Sequence, residues 1–366
     1  MVKGMARMAI RSVGTALAVL ALAVAATTGC ATVGAPGGSA GQPATATIEY
    51  TDDAGRQVRL PAAIERIAPS GPMAQLVLFA LCPDKLVGLA SDFNNEQFRY
   101  IDRKYASLPV FGSFYGSGLN LEAVMKARPQ VIIDVGDATG TAVADLDAVQ
   151  AKTGVPTVFV SSSMGALAST FEKLGDITGD RAPAAELADY VSRTLADITQ
   201  KVASVPASAR PTVYYGQDNG LTAVVGGTTH GAAIDAVGAT NVVHSAGAGR
   251  SGTVLVSMEQ LMLWNPQIIL FAPGSAKNAA GSQWQGLSAV AAHRYYEIPS
   301  GPYNWLDQPP SVNQIIGAVW LANLLYPQVF QYDMTQQAQR FYRLFYHCEL
   351  SDAQARALLA GSTPAR

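Results

Sequence analysis

Aromatic side chains and one arginine stand in or directly after apolar, strand-like runs of the sequence. They are Phe93, Phe114, Tyr115, Tyr215, Arg250, Tyr303 and Trp305. In open α/β sheets, ligands bind beyond the carboxyl ends of the strands. Aromatic walls with a few polar groups suit a large planar or chelate ligand. We therefore predict that these side chains line a ligand-binding cleft.

For two of these residues, a role without ligand contact is the alternative. Tyr215 lies beside Tyr214, so alternation along a strand would turn only one of them toward a cleft. Arg250 lies in the glycine-rich segment 247–252, where its guanidinium either pairs with anionic oxygens of a ligand or stays solvated. That segment also matches G-x-G-x-x-G, but an extended run separates it from the next helix, so we reject a dinucleotide site.

A unit of helix and strand occurs twice, at 119–134 and at 256–271. Each copy has a polar capping residue, an acid in the first helical turn (Glu122 and Glu259), a Pro-Gln pair and an apolar run. An acid in the first turn complements the positive end of the helix dipole. An apolar run without polar alternation is typical of a strand that is covered on both faces. The duplication predicts two related α/β lobes, and hence a cleft between them.

The sequence lacks the signatures of other function classes. No G-x-S-x-G elbow between a strand and a helix and no H-E-x-x-H motif is present, and the four histidines are scattered without the spacing of a metal site. Without the basic residues of the N-terminal signal, 22 Lys and Arg stand against 27 Asp and Glu, which disfavours nucleic acid. We predict no enzyme activity, no intrinsic cofactor and no protein metal site. An axial haem ligand from His230, His244 or a cleft tyrosine stays open.

The N-terminus is typical of a bacterial lipoprotein signal. A basic region, an apolar core and Gly29-Cys30 predict a signal peptide over 1–29 and lipidation of Cys30. Residues 30–45 are rich in Gly, Ala, Ser and Thr, which predicts a flexible tether. Because Thr27 replaces the usual leucine, an ordinary secretory signal or a membrane anchor is the alternative. We expect an extracytoplasmic protein, lipid-anchored at the cell surface or in the periplasm.

The remaining chain divides at its longest helix candidate. Strand–helix alternation is typical of parallel sheets and predicts lobes over 46–180 and 207–366. Between the lobes, apolar residues recur at helical spacings from Leu187 to Val202, which predicts one spine helix over 181–206. The expected fold is therefore α/β, with two Rossmann-like lobes on parallel sheets joined by a single long helix.

Cys82 and Cys348 are the two cysteines that follow Cys30. Outside the cytoplasm a pair of cysteines can oxidise, and this disulfide would tie the first helical region to the last. Two separate buried thiols are the alternative, and the sequence leaves both open.

Several motifs, in this order, resemble the helical-backbone solute-binding proteins of ABC importers. They are residues 52–70 and 84–89 near the start, the two lobe units at 120–129 and 256–266, and a C-terminal part at 305–317 and 341–346 that is similar to a lipoprotein subgroup for iron complexes. The resemblance covers nearly everything after the tether. It implies the two-lobed fold and a protein that captures a solute for a membrane permease.

The resemblance also implies a partner and a cargo. Glu122 and Glu259 would dock on permease arginines, and two acids on separate lobes can report the distance between the lobes. The alternative is that each acid only stabilises its own helix. The implied cargo is a ferric siderophore, with haem or cobalamin as alternatives and a free metal ion less favoured. We expect a monomer that contacts the membrane only through its lipid.

Overall fold

The computed structural model describes residues 46–115, 118–137, 140–244, 252–360 and 362. Four predicted features lie outside the described residues, namely the signal peptide, Cys30, the tether and Arg250. Within the described ranges, no helix is long and apolar enough to cross a membrane.

The described chain begins with the predicted hairpin, formed by β1 (Thr47–Thr51) and β2 (Gln57–Pro61) in antiparallel pairing. The carboxylate of Asp52 shapes the turn, because its Oδ1 accepts the backbone N–H groups of Ala54 and Arg56 at 3.0 and 2.9 Å.

The first lobe is built on a three-stranded parallel sheet. Its elements are β3 (Ile67–Pro69), α1 (Pro72–Leu81), α2 (Leu121–Ala127), β4 (Val131–Gly136), α3 (Ala142–Thr153), β5 (Thr157–Ser161) and α4 (Leu167–Thr178). The strands lie in the order β3-β4-β5. In β4, Ile132 belongs to one hydrophobic cluster and its neighbours Val131 and Ile133 to another. The strand is therefore covered on both faces, which explains its continuous apolar run.

A single helix of 23 residues, α5 (Arg181–Ala203), follows the first lobe. Leu187, Val191, Ile198 and Val202 are buried along one side of it, as their helical spacing predicts. The predicted spine helix is therefore confirmed.

The second lobe contains a larger, mixed sheet. Its elements and the C-terminal helices are β6 (Thr212–Gln217), β7 (Thr222–Val224), α6 (Ala232–Ala236), β8 (Thr240–Asn241), β9 (Thr253–Leu255), α7 (Met258–Trp264), β10 (Ile268–Phe271), α8 (Ser288–Ala291), β11 (Tyr295–Glu297), α9 (Asn313–Leu325), α10 (Met334–Phe345) and α11 (Asp352–Ala360). The order is β11-β10-β6-β7-β9, with β8 also on β6. The strands β6, β8, β10 and β11 are parallel, as predicted, whereas β7 pairs antiparallel with β6 and β9. A tight turn joins β6 to β7, and such a short connection permits only antiparallel pairing.

The duplicated unit has the same structure in both lobes. The side chains of Asn120 and Ser257 each accept a backbone N–H and so begin α2 and α7. Each helix has seven residues and ends on a residue in the left-handed conformation, with φ 48° at Arg128 and 39° at Asn265. The repeat in sequence is therefore a repeat in structure.

A glutamine after each of these helices ties the unit to the neighbouring strand. Oε1 of Gln130 accepts the backbone N–H groups of Glu65 and Arg66, at 2.7 and 3.0 Å, just before β3. Oε1 of Gln267 accepts the backbone N–H of Thr212, at 2.9 Å, at the start of β6. The Pro-Gln pair thus aligns two adjacent parallel strands in each lobe.

One hydrophobic cluster extends through both lobes. Helix α10 packs against α1 of the first lobe, and α9 packs against the spine helix α5. Phe345 of α10 contacts Phe171 of α4 and Tyr190 of α5, with ring centroids 6.0 and 5.5 Å apart. The C-terminal helices, which the predicted boundaries place in the second lobe, therefore also pack on the first lobe. The domain boundaries stay a prediction.

Of the two alternatives that the sequence leaves open for Cys82 and Cys348, the structure has separate free thiols. Burial raises the pKa of the Cys82 thiol to about 12. Such a thiol carries almost no thiolate at neutral pH, which makes it unreactive.

We expect Gln130→Ala to lower the free energy of unfolding by about 1 kcal/mol, because it removes the side-chain acceptor of two backbone N–H groups. Urea denaturation measures the change. Gln336→Ala, at an exposed position of α10, is the control and should have little effect. Equal effects of the two substitutions would contradict the role of Gln130 in aligning the strands.

Candidate functional site

A cavity of about 620 Å³ lies between the two lobes. The first lobe contributes Tyr115, Asp145 of α3 and the end of β4 with Asp134 and Asp137. The second lobe contributes the segment that follows β7, from Gly227 to His230, together with Gly252 and Pro310. The cavity therefore lies where strands of both sheets end, as expected for a ligand site in an α/β protein.

On the first-lobe wall, Asp134 is held by two hydroxyl groups. The Tyr115 hydroxyl donates to Oδ2 of Asp134 at 2.6 Å, and the Ser70 hydroxyl donates to Oδ1. Burial, and then the negative charge of Asp134, raise the pKa of Tyr115, so its phenol stays protonated at neutral pH. This wall presents an aromatic ring beside carboxylates.

On the second-lobe wall, a buried carboxylate orients His230. Nδ1 of His230 lies 2.7 Å from Oδ1 of Asp307, which has no exposed surface. Asp307 also accepts hydrogen bonds from the side chain of Gln217, at 2.6 Å, and from the backbone N–H of Gln308, at 2.7 Å. This arrangement fixes the orientation of the imidazole ring, as carboxylates do for histidines that bind metals.

A hydrogen bond joins the two walls. The hydroxyl of Thr229 donates to Oδ2 of Asp137 across the cleft. The backbone carbonyl of Thr229 accepts from Nε2 of Gln314 in α9, at 2.8 Å. The segment before His230 is thereby tied both to the first lobe and to the C-terminal helices.

Only one of the six described aromatic residues predicted for the cleft, Tyr115, lines this cavity. Its contact with a ligand stays a prediction. Arg250 lies outside the described residues, in the segment that precedes Gly252.

The other five aromatic residues belong to the core rather than to the cleft wall. Phe93 packs edge-on against Phe79 and Phe98, and Phe114 against Phe111.

Tyr215 and Trp305 have no exposed surface. Tyr215 accepts from Asn304 at 3.0 Å, and Trp305 donates to the hydroxyl of Tyr342 at 3.2 Å. Partly buried Tyr303 packs beside a core tyrosine. The prediction failed for the loop residues because positions near strand ends were treated as exposed, and for Tyr215 because both faces of β6 are covered.

The residues that sequence reasoning missed are polar. Asp134, Asp137, Asp145 and His230 line the cavity, and of these the sequence analysis named only His230, as an axial haem ligand. The available signal was an acid at the carboxyl end of an otherwise apolar strand, Asp134 in β4. Among the described residues, no group of three or more His, Cys, Asp or Glu is placed to hold a metal ion.

The two predicted docking acids lie away from this cavity, on the helices of the duplicated unit. Glu122 and Glu259 are both exposed and occupy the same position of α2 and α7. The backbone N–H of Glu259 and the hydroxyl of Ser257 lower the pKa of the Glu259 carboxyl, so this carboxylate is charged at neutral pH.

The sequence model of the periplasmic binding protein family matches residues 83–302 of this chain. A solved ABC transporter solute binding protein from Sulfurospirillum deleyianum DSM 6946 is similar in structure, with a TM-score of 0.78 and 27% identity. The alignment covers 85% of this chain and 99% of that one.

A curated relative is the molybdate-binding protein MolA of Haemophilus influenzae (strain ATCC 51907 / DSM 11121 / KW20 / Rd), 29% identical over 164 residues. That match covers 43% of this chain and 45% of the relative, so the chain spans a little under half of the relative's length. A molybdate-bound structure of Haemophilus influenzae MolA has a TM-score of 0.67 at 19% identity, over 83% of this chain and 99% of that one. This last likeness concerns the fold alone.

We expect Gly252→Ala to displace the imidazole of His230, because a Cβ there would lie 2.3 Å from the ring. Gly252 also has φ +59°, so any side chain adds backbone strain. Gly274→Ala is the matched control, since Gly274 has φ +77° and open space around it. NMR of the histidine side chains should show a shift of His230 in the first variant and none in the second. An unshifted His230 in Gly252→Ala would contradict the packing described here.

Proposed function

The chain belongs to the periplasmic binding protein family, and we propose that it captures a ferric siderophore-type iron complex and delivers it to the permease of an ABC importer. The observation that carries the proposal is the cavity between the lobes, where Tyr115 and three carboxylates face an imidazole that Asp307 holds in place. Its volume of about 620 Å³ is in the range of pockets that enclose a ligand the size of a drug or a chelate.

The charge of the cavity favours one class of iron complex. Asp134, Asp137 and Asp145 line it, and none of its described lining residues is Lys or Arg. Carboxylates at short distance attract a cation and repel an anion. A ferric tris-hydroxamate is neutral at its iron centre, whereas a ferric tris-catecholate is strongly anionic. The geometry therefore supports a hydroxamate-type complex, and the predicted contact of Arg250 stays a proposal.

A second candidate, haem, is supported by His230. An imidazole whose Nδ1 is held by a buried carboxylate is a suitable axial ligand for haem iron through its Nε2. Haem also brings two carboxylates of its own, which the acidic wall of the first lobe would repel. We therefore rank haem behind the hydroxamate complex, and cobalamin stays an alternative without an observation in its favour.

The relative that binds molybdate suggests an oxyanion as another cargo. A doubly negative oxyanion would meet the three carboxylates of this cavity, and the Coulomb energy of like charges at a few ångströms is unfavourable by about 1 kcal/mol or more in each case. The described part of the cleft thus supports a neutral or cationic complex over molybdate.

Delivery requires a surface that the permease can bind. Glu122 and Glu259 occupy equivalent, exposed positions on the two lobes, which supports their role as the two docking acids. Family membership implies an extracytoplasmic location. We propose that a lipid on Cys30 holds the monomeric protein at the membrane, as the lipoprotein-type signal indicates.

Calorimetric titration with a panel of probes tests the cargo. The panel contains ferrioxamine B, a ferric tris-catecholate, haemin, cyanocobalamin, molybdate and Ni²⁺. We expect ferrioxamine B to bind with a Kd of about 1 μM or tighter, as pocket burial of a chelate allows. Tight binding of molybdate with no binding of any iron complex would refute the proposed cargo.

We expect Asp145→Asn to strengthen binding of the anionic tris-catecholate and to weaken binding of cationic ferrioxamine B, each by about threefold to tenfold at low salt. Asp147→Asn is the matched control. Asp147 lies on the same helix, but it pairs with Arg56 at 2.9 Å and does not line the cavity. If both substitutions change the affinities equally, the effect is one of net charge and not of the cavity wall.

We expect Glu122→Ala and Glu259→Ala to reduce cargo uptake by about tenfold or more in a reconstituted transport assay, because each removes a charged contact to the permease. The affinity for cargo should not change. Glu186→Ala, at an exposed position of the spine helix α5, should leave both quantities unchanged. Loss of cargo affinity in Glu122→Ala or Glu259→Ala would instead place these acids in the binding site.

A further inference from the structure

The large hydrophobic side chains that are exposed concentrate on the duplicated helices. In the described part of the chain seven such side chains are exposed, and four of them lie on α2, on α7 or at the end of β9, three residues before α7 begins. These four are Met125, Leu255, Met262 and Leu263. Exposed apolar side chains that cluster beside charged groups indicate a surface that another molecule covers.

Part of this pattern is common to both lobes. Met125 follows Glu122 by three residues in α2, and Met262 follows Glu259 by three residues in α7, so acid and methionine lie on one helix face in each lobe. Met125 is 54% exposed and Met262 is 42% exposed, whereas the residue between acid and methionine that faces inward is buried in both helices. A partner that binds both lobes therefore meets the same acid–methionine pair twice.

The other part of the pattern belongs to the second lobe alone. Leu255 and Leu263 are 84% and 81% exposed, which is nearly the full side chain. The residues at the equivalent positions of the first unit are Gly118 and Lys126. The second-lobe face consists of Leu255, Glu259, Met262 and Leu263. Its three apolar side chains project into solvent around the carboxylate of Glu259.

The first-lobe face has the opposite shape. Beside α2 lies an open groove of about 560 Å³, bordered by Arg66, Val87, Pro109, Glu122 and Lys126. This groove can accommodate a side chain of a partner, whereas the projecting side chains of the second lobe require a pocket in the partner.

We propose that the second lobe is the apolar anchor of the complex with the permease, inserting Leu255 and Leu263 into it, while the first lobe docks through the groove beside α2. This inference rests on the proposed function and deepens it by assigning different chemistry to the two lobes. The permease is the occupant because a partner that binds both lobes meets the acid–methionine pair twice and needs basic groups for both acids, with apolar pockets only where it faces the leucines of the second lobe. Burying one fully exposed leucine is worth about tenfold in affinity or more.

The test compares leucine-to-lysine variants for binding to the cognate permease complex in lipid nanodiscs. We expect Leu255→Lys and Leu263→Lys each to weaken binding at least tenfold, with affinity for ferrioxamine B unchanged. Ile48→Lys is the matched control, because Ile48 is 44% exposed on the hairpin strand β1, outside both faces.

Unchanged binding of both leucine variants would overturn the inference. An equal loss of binding to nanodiscs without permease would overturn it as well, because the leucines would then contact lipid. A wild-type dimer in light scattering that Leu263→Lys dissociates would assign the face to a second copy of the chain. If the wild-type protein binds the permease complex but the leucine variants match it, only this inference fails; if the wild type binds neither the complex nor any cargo probe, the proposed function fails.

Discussion

The arrangement of the two lobes depends on a hydrophobic core that they share around the spine helix α5. Tyr190 of that helix lies against Phe341 and Phe345 of α10, whose rings are stacked with centroids 4.4 Å apart. Phe345 also reaches Phe171 of the first lobe. Because protein interiors are close-packed, a change of lobe orientation that separated these rings would open voids in the core. The shared core therefore limits how far the lobes can move, and the cleft is largely formed before a ligand enters.

The chemistry of the cleft is attached to this core through one buried carboxylate. Asp307 holds His230 on one side and accepts from Gln217 at the end of β6 on the other. Nearby, Asn304 caps the backbone of the same segment and donates to the buried Tyr215. In a region of low dielectric, a network in which every polar group is hydrogen-bonded is rigid. Removing one residue leaves the others without a hydrogen-bond partner. The aromatic residues 215 and 305 thus support the site from behind, although they were predicted to contact the ligand.

Local features of the fold were predictable, and the composition of the cleft was not. Capping residues, helical spacing and the Pro-Gln pair are encoded within one short segment, so the duplicated unit and the spine helix follow from the sequence. The cleft brings Asp134 and Asp145 of the first lobe together with His230 of the second lobe, which is far from both of them along the chain. An aromatic residue in a loop gives no indication of whether it faces solvent or core, since that depends on which helices cover the loop. Helix α10, which also packs on the first lobe, covers the loop that carries Trp305.

The sequence by itself determined that the chain has two related α/β lobes, each with an exposed acid at the same position of a short helix. Those features arise from interactions between residues that are close along the chain, and local rules describe them. Tertiary structure decided which strand ends face each other and which aromatic rings are buried. It also decided that Leu255 and Leu263 stay exposed beside α7. These properties depend on the packing of distant segments, whose relative positions no local pattern specifies.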